Sequence, residues 1–158
     1  MTGYAIYDGD QLVKYGTHST HQDNQEDKFS DVRGWLINMI NVWQPEFVGF
    51  EGIQLQDNLN GGQKMGVTTF EALARLQGVI MVTCKEMGIP FEIYPTNTWR
   101  QACGVKGRAR TEKKRSMKEL TKKWFDVTVT EDEADAIGIG KHTASQFGKA
   151  HTIYNWET

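Results

Sequence analysis

Phe47-Val48-Gly49-Phe50-Glu51-Gly52 follows Pro45 and is the segment on which the architecture turns. A short apolar run behind a helix stop is long enough for a buried strand and too short for a helix. Upstream, Phe29, Val32, Trp35, Leu36, Met39, Ile40 and Trp43 fall at three- and four-residue steps, the period of an amphipathic helix that stops near Pro45. Farther upstream, β-forming residues at 3–8 and 11–17 flank Asp8-Gly9-Asp10, and Asp-Gly between two such runs predicts a hairpin. The residues from His18 to Asp27 between hairpin and helix read as a polar loop.

Downstream of Glu51, a loop with Asn58, Asn60, Gly61 and Gly62 leads to Thr68-Thr69-Phe70-Glu71, a capping-box spacing with Thr68 as N-cap. The helix it predicts runs to about Met87, with Gly88 and Pro90 beyond its end. Its main stripe is Phe70, Leu73, Leu76, Ile80, Cys84 and Met87, but Met81 and Val82 extend the apolar surface toward the polar side, as on a helix that faces a core and a partner subunit. Phe91 to Tyr94 reads as a strand, and Thr96-Asn97-Thr98-Trp99 opens a short helix. A basic helix from about Thr111 to Trp124, an extended piece at Val127 and Val129, and a last helix from Thr130 to about Gln146 complete the chain, with 148–158 as a tail. A hairpin followed by alternating helix and strand predicts a mixed α/β domain over residues 1–147 with one central sheet.

The length of 158 residues suits about one domain, and 39% hydrophobic with 24% charged residues excludes a disordered chain. No apolar run approaches the ~18 residues of a membrane span, and no signal-peptide pattern opens the chain, so a cytoplasmic protein is expected. Cys84 and Cys103 have no partner at metal-ligand spacing and read as free thiols. The net charge of −2 conceals segregation. Residues 104–123 hold nine of the eighteen Lys and Arg against Glu112 and Glu119, a balance of +7, while the remaining residues carry nine bases and eighteen acids, a balance of −9. A glycine-led basic block suits a loop that neutralises phosphates, and equally a solvated helix face.

Among the carboxylates, Asp132 and Asp135 lie three apart on a first helical turn and project from one face. The helix dipole alone accounts for Asp132. Asp135 precedes Ala136-Ile137-Gly138-Ile139-Gly140, a small apolar face where a carboxylate gains little without a partner. Glu51 ends its strand, at the edge where open α/β sheets form their binding crevice. His142, two turns beyond Asp135, reads as a packing or solvated residue.

Phe50-Glu51-Gly52-Ile53-Gln54-Leu55-Gln56, Phe70 to Ile80, Tyr94-Pro95-Thr96-Asn97-Thr98-Trp99-Arg100, the Gly-Lys-Arg-rich segment and Asp132-Glu133-Ala134-Asp135-Ala136 together resemble a RuvC-type Holliday junction resolvase of the kind carried by phages and Gram-positive bacteria. The resemblance runs in order from Thr2 to about Gly140 and implies a ribonuclease H-like fold, a homodimer, and an endonuclease that nicks branched DNA with two Mg²⁺ (or Mn²⁺) ions. By matching position, Glu51, Asp132 and Asp135 are the implied catalytic and metal-binding carboxylates, hard oxygen donors suited to such ions. Lys106, Arg108, Arg110, Lys113, Lys114 and Arg115 would hold backbone phosphates of a four-way junction, with Trp99 and Arg100 flanking them.

Gly3 to Gly9 and Leu12 to Gly16 look like the family's second and third strands, so its first, central strand and the aspartate on it are expected to be missing from these residues. Asp8 and Asp10, in the hairpin turn about 16 Å along the strand, are not substitutes. A site short of one carboxylate is expected to bind metal weakly and cut poorly. Two alternatives therefore stand beside the resolvase: a catalytically silent DNA-binding module, and a ribonuclease H-like nuclease with another substrate.

Overall fold

The computed structural model describes residues 1–53 and 66–154, with side chains through 147, so Asn58, Asn60, Gly61 and Gly62 lie outside the described residues. The elements run β1 (Thr2–Asp8), β2 (Gln11–His18), α1 (Gln25–Trp43), β3 (Val48–Glu51), α2 (Val67–Glu86), β4 (Phe91–Tyr94), α3 (Thr96–Cys103), α4 (Arg110–Phe125) and α5 (Glu131–Tyr154). They form two compact units, one of Met1–Ser19 with Asn97–Thr158 and one of Thr20–Thr96.

In the first unit β1 and β2 pair antiparallel across Gly9, whose φ of 60° supplies the left-handed residue the turn needs. A register shift between Ile6 and Tyr7 bulges the ribbon. Helix α5 packs on both strands and against α4. The contact with β1 is close because two glycines allow it: a Cβ on Gly3 would run into the Asp132 carbonyl oxygen, and one on Gly140 would lie 2.5 Å from the Tyr7 ring. Trp99, Met117, Thr121, Ala134 and Ile137 fill the core with at most 1% exposure, and Gly138 leaves room for the Trp99 ring and the Met117 thioether.

In the second unit β3 and β4 run parallel, Val48 beside Phe91 through Glu51 beside Tyr94, with α2 as the crossover. Asn24 caps α1 through the Asp27 N–H, which starts that helix inside the expected polar loop. Val32 and Ile40 of α1 and Cys84 of α2 are buried where those helices pack.

The mixed α/β class holds, but the expected single sheet is replaced among the described residues by two two-stranded sheets, β1-β2 and β3-β4. Two local expectations also change. Gly66, not Thr68, is the N-cap of α2, with no side-chain cap, and Glu71 turns to Arg75 at 3.9 Å instead of reaching back. The stretch with Val127 and Val129 lies between α4 and α5 outside any helix or strand, and Val129 is buried as core. Helix α5 continues past Gln146 to Tyr154, through residues read as tail. No helix among the described residues is long and apolar enough to cross a membrane.

Candidate functional site

The start of α5 is fixed by a reciprocal cap. The Thr130 N–H donates to Glu133 Oε2 at 2.8 Å, and the Glu133 N–H donates to Thr130 Oγ1 at 3.3 Å. Glu133 is thus used in capping, which leaves Asp132 exposed on the first turn and Asp135 half-buried one turn further. Lys114 of α4 donates its ammonium to Asp135 Oδ2, and the side chains of the pair are only 12% and 19% exposed. The second oxygen, Oδ1, is buried and has no hydrogen-bond partner among the described residues. A buried carboxylate with one oxygen neutralised and the other open is costly unless a further cation or donor reaches it. A carboxylate oxygen is the kind of donor a hard divalent ion takes, and Asp135 Oδ1 is one such oxygen left open.

Glu51 is the exposed last residue of β3 in the second unit. The chain beyond it is held in place: the Gly52 N–H donates to the Tyr94 carbonyl at 2.9 Å and the Ile53 N–H to Gln77 Oε1 at 3.1 Å. Among the described residues no group of three or more His, Cys, Asp or Glu could hold a metal; Asp132 and Asp135 share a helical face as a pair. Asp8 and Asp10 stand at the hairpin turn, where Asp10 joins Tyr7, Cys103 and Lys141 around a cavity of about 270 Å³. Lys141 is nine residues beyond Asp132 on α5, roughly 14 Å at 1.5 Å per residue, which separates those aspartates from the acidic turn.

The basic residues divide. Lys106, Arg108, Arg110 and Arg115 are exposed and Lys113 is half-buried, whereas Lys114 is committed to Asp135. Arg115 lies 3.8 Å from Glu119 along the same helix. Trp99 corrects the sequence expectation: with 0% exposure it belongs to the core and offers no face to DNA. A tryptophan next to an arginine looks like a stacking surface in sequence, but α3 turns the indole inward, and the half-buried Arg100 guanidinium lies 5.3 Å from its centroid.

A family model for crossover junction endodeoxyribonuclease RuvC matches residues 1–141. The chain belongs to the RuvC family. A crossover junction endodeoxyribonuclease RuvC from Thermomicrobium roseum is 27% identical over 146 residues, covering 88% of this chain and 83% of that protein. Among solved structures, Thermus thermophilus RuvC in complex with Holliday junction substrate superposes with a TM-score of 0.66 at 15% identity, covering 92% of this chain and 87% of the other. A second Thermus thermophilus RuvC structure gives 0.62 at 17% identity, covering 87% and 80%. The fold is therefore RuvC-like, that is, ribonuclease H-like.

Within this RuvC-family chain, sequence reasoning missed the polar residues that organise the basic segment. Glu112 and Ser116 each accept backbone N–H groups from the turn before α4. The readable signal was a glutamate three residues beyond a helix start, a capping spacing hidden by the alanine at the cap position. Also missed was Tyr7, whose hydroxyl donates to the Ile137 carbonyl at 2.7 Å and whose ring meets Phe125 edge-on. Burial, with Cys103 adding to it, pushes the Tyr7 hydroxyl well up. Burial also pushes the Cys103 thiol up to about 11 against the pull of Lys141, so both are neutral packing groups near pH 7. Cys84 and Cys103 are free thiols. His142 is buried at 8% exposure, in keeping with a packing residue.

Proposed function

We propose that this RuvC-family chain is a divalent-metal-dependent endodeoxyribonuclease that resolves four-way DNA junctions by phosphodiester hydrolysis. Its nuclease domain spans residues 1–147, and it works as a homodimer in the cytoplasm of a bacterial or phage-infected cell. The carrying observation is the open, buried Oδ1 of Asp135, one turn from Asp132 at the beginning of α5. Support for DNA as substrate comes from the +7 balance of residues 104–123 and from the relatives' activity as crossover junction endodeoxyribonucleases. Support for a dimer comes from α2, where Val82 is 55% exposed on the side away from the main apolar stripe.

Asp135, Asp132 and Glu51 are the proposed ligands, with Mg²⁺ (or Mn²⁺) as the ion. A pair of such ions supplies, when bound, an activated water and charge compensation at the leaving 3′ oxygen. The remaining work falls to the protein. Lys114 balances the charge of Asp135 and orients its carboxylate; Lys106, Arg108, Arg110, Lys113 and Arg115 grip the phosphates and Arg100 borders them.

The test is cleavage of a synthetic four-way junction in Mg²⁺ and in Mn²⁺. Nicking that vanishes in Asp135→Asn while junction binding persists supports the reading. Binding by the unaltered chain with no nicking in either metal favours the second reading, a silent junction-binding module. That alternative draws on the ion pair itself, since Lys114 already neutralises part of Asp135. Comparing junction, duplex and RNA–DNA hybrid substrates tests the substrate class.

A further inference from the structure

Lys106, Arg108 and Arg110 are carried on or beside the turn of residues 104–109 that joins α3 to α4. A segment of this charge has every electrostatic reason to splay, yet its backbone is fastened down. Glu112 Oε2 accepts the Arg108 N–H at 2.7 Å and the Ala109 N–H at 3.1 Å. One turn further along the same face, Ser116 Oγ accepts the Lys106 N–H at 2.9 Å. Between these anchors Gly107 has a φ of 112°, and a Cβ there would lie 2.5 Å from Glu112 Cβ and 3.1 Å from the Glu112 backbone carbon. Only glycine lets the turn descend this far onto the helix. Ala109, at the cap position, has no side-chain acceptor, so Glu112 makes one half of a capping box and spends its second bond on the turn itself. The two amides hold the Glu112 carboxyl below the usual carboxylate range, so it is an anion wherever the protein is folded near neutral pH.

We propose that Glu112 and Ser116 are positioning residues for DNA: they fix the backbone of the basic turn so that Lys106, Arg108 and Arg110 meet the phosphates as a preset array. The inference rests on the reading of that turn as the nucleic-acid interface. A preset array has its ordering cost met during folding, leaving less to be lost when phosphates bind. The acid in the middle of the basic block thus strengthens DNA binding, the opposite of what its charge alone does.

That opposition of sign is the experiment. Affinity for a fluorescent synthetic four-way junction is measured in EDTA, so that no strand is cut, for Glu112→Ala, Glu112→Gln, Ser116→Ala and Glu119→Ala. Glu119 is the other acid of the block and pairs with Arg115, so its removal changes the charge equally without touching the turn. Coulomb attraction alone makes both alanine variants at 112 and 119 bind more tightly. Positioning makes Glu119→Ala tighter and Glu112→Ala weaker, by roughly 5- to 10-fold, with Ser116→Ala weaker as well. Glu112→Gln keeps an acceptor oxygen and recovers most of the affinity. Ser116→Ala leaves the first-turn cap intact and decides the matter if Glu112→Ala unfolds α4 by circular dichroism. Tighter or unchanged binding in Ser116→Ala, or in a folded Glu112→Ala, overturns the proposal. Lys106→Ala, Arg108→Ala and Arg110→Ala separate the two layers. If they leave affinity unchanged, the interface reading falls and the proposal with it; if they weaken it while Glu112→Ala tightens it, only the positioning role falls.

Discussion

Asp135 has one carboxylate oxygen bonded to an ammonium and one left open in the interior, and its neighbour Lys114 is even more enclosed. Removing the lysine leaves an uncompensated charge, which for buried pairs costs more than the pair itself contributes. Because the pair keeps some exposure, Lys114→Met is expected to lower the unfolding free energy by about 2–3 kcal/mol, read by urea denaturation. A divalent ion binding the uncompensated acid stabilises only the folded state, so Mg²⁺ at about 10 mM should raise the melting temperature of Lys114→Met more than that of the unaltered protein. Equal shifts in both would show that Asp135 does not take up the ion. The Cys103 thiol is a contrasting case, since its raised pKa favours the protonated form in the folded state. Its contribution is complete below the ordinary thiol value of 9.0 and is lost as pH rises toward about 11.

At the level of elements, the seam between β1 and α5 leaves no room for a methyl group at Gly3. The obstructing atom is a backbone carbonyl, which cannot rotate aside as a side chain does. Gly3→Ala is expected to cost about 1–3 kcal/mol by chemical denaturation. It should also displace the Asp132 turn enough to reduce junction nicking beyond what lost stability explains. The hairpin, β3, β4, α1 and the α5 cap were legible because Asp-Gly, Pro45, Gly88 and the Thr130–Glu133 spacing act over a few residues. Thr68 misled because a capping spacing states only that a bond is possible, and the chain entering α2 begins the helix two residues earlier. The paired sheets, the inward turn of Trp99 and the Lys114–Asp135 bond depend on contacts between segments far apart in sequence. Local pattern carries no information about those. The acids Asp132 and Asp135 were readable as a helical pair; that Asp135 is met by a lysine 21 residues away was not.

For the whole molecule, charge segregation matters more than the net value of −2. If the basic block grips DNA, junction affinity falls linearly in log–log form with salt, and each phosphate contact removed lowers the slope by about 0.9. The triple variant of Lys106, Arg108 and Arg110 to alanine should therefore flatten that slope by about 2–3, measured by titration across a salt series. An unchanged slope would place the phosphate contacts elsewhere. The division into two units carries a different consequence. Thr20–Thr96 is one continuous stretch, whereas the other unit joins Met1–Ser19 to Asn97–Thr158 across it. During synthesis the continuous unit leaves the ribosome whole, while the hairpin must wait for α5, its main packing partner. The basic turn and the acidic pair both belong to that interrupted unit, so neither is held in place until the chain has come back from Thr20–Thr96 to the strands it left.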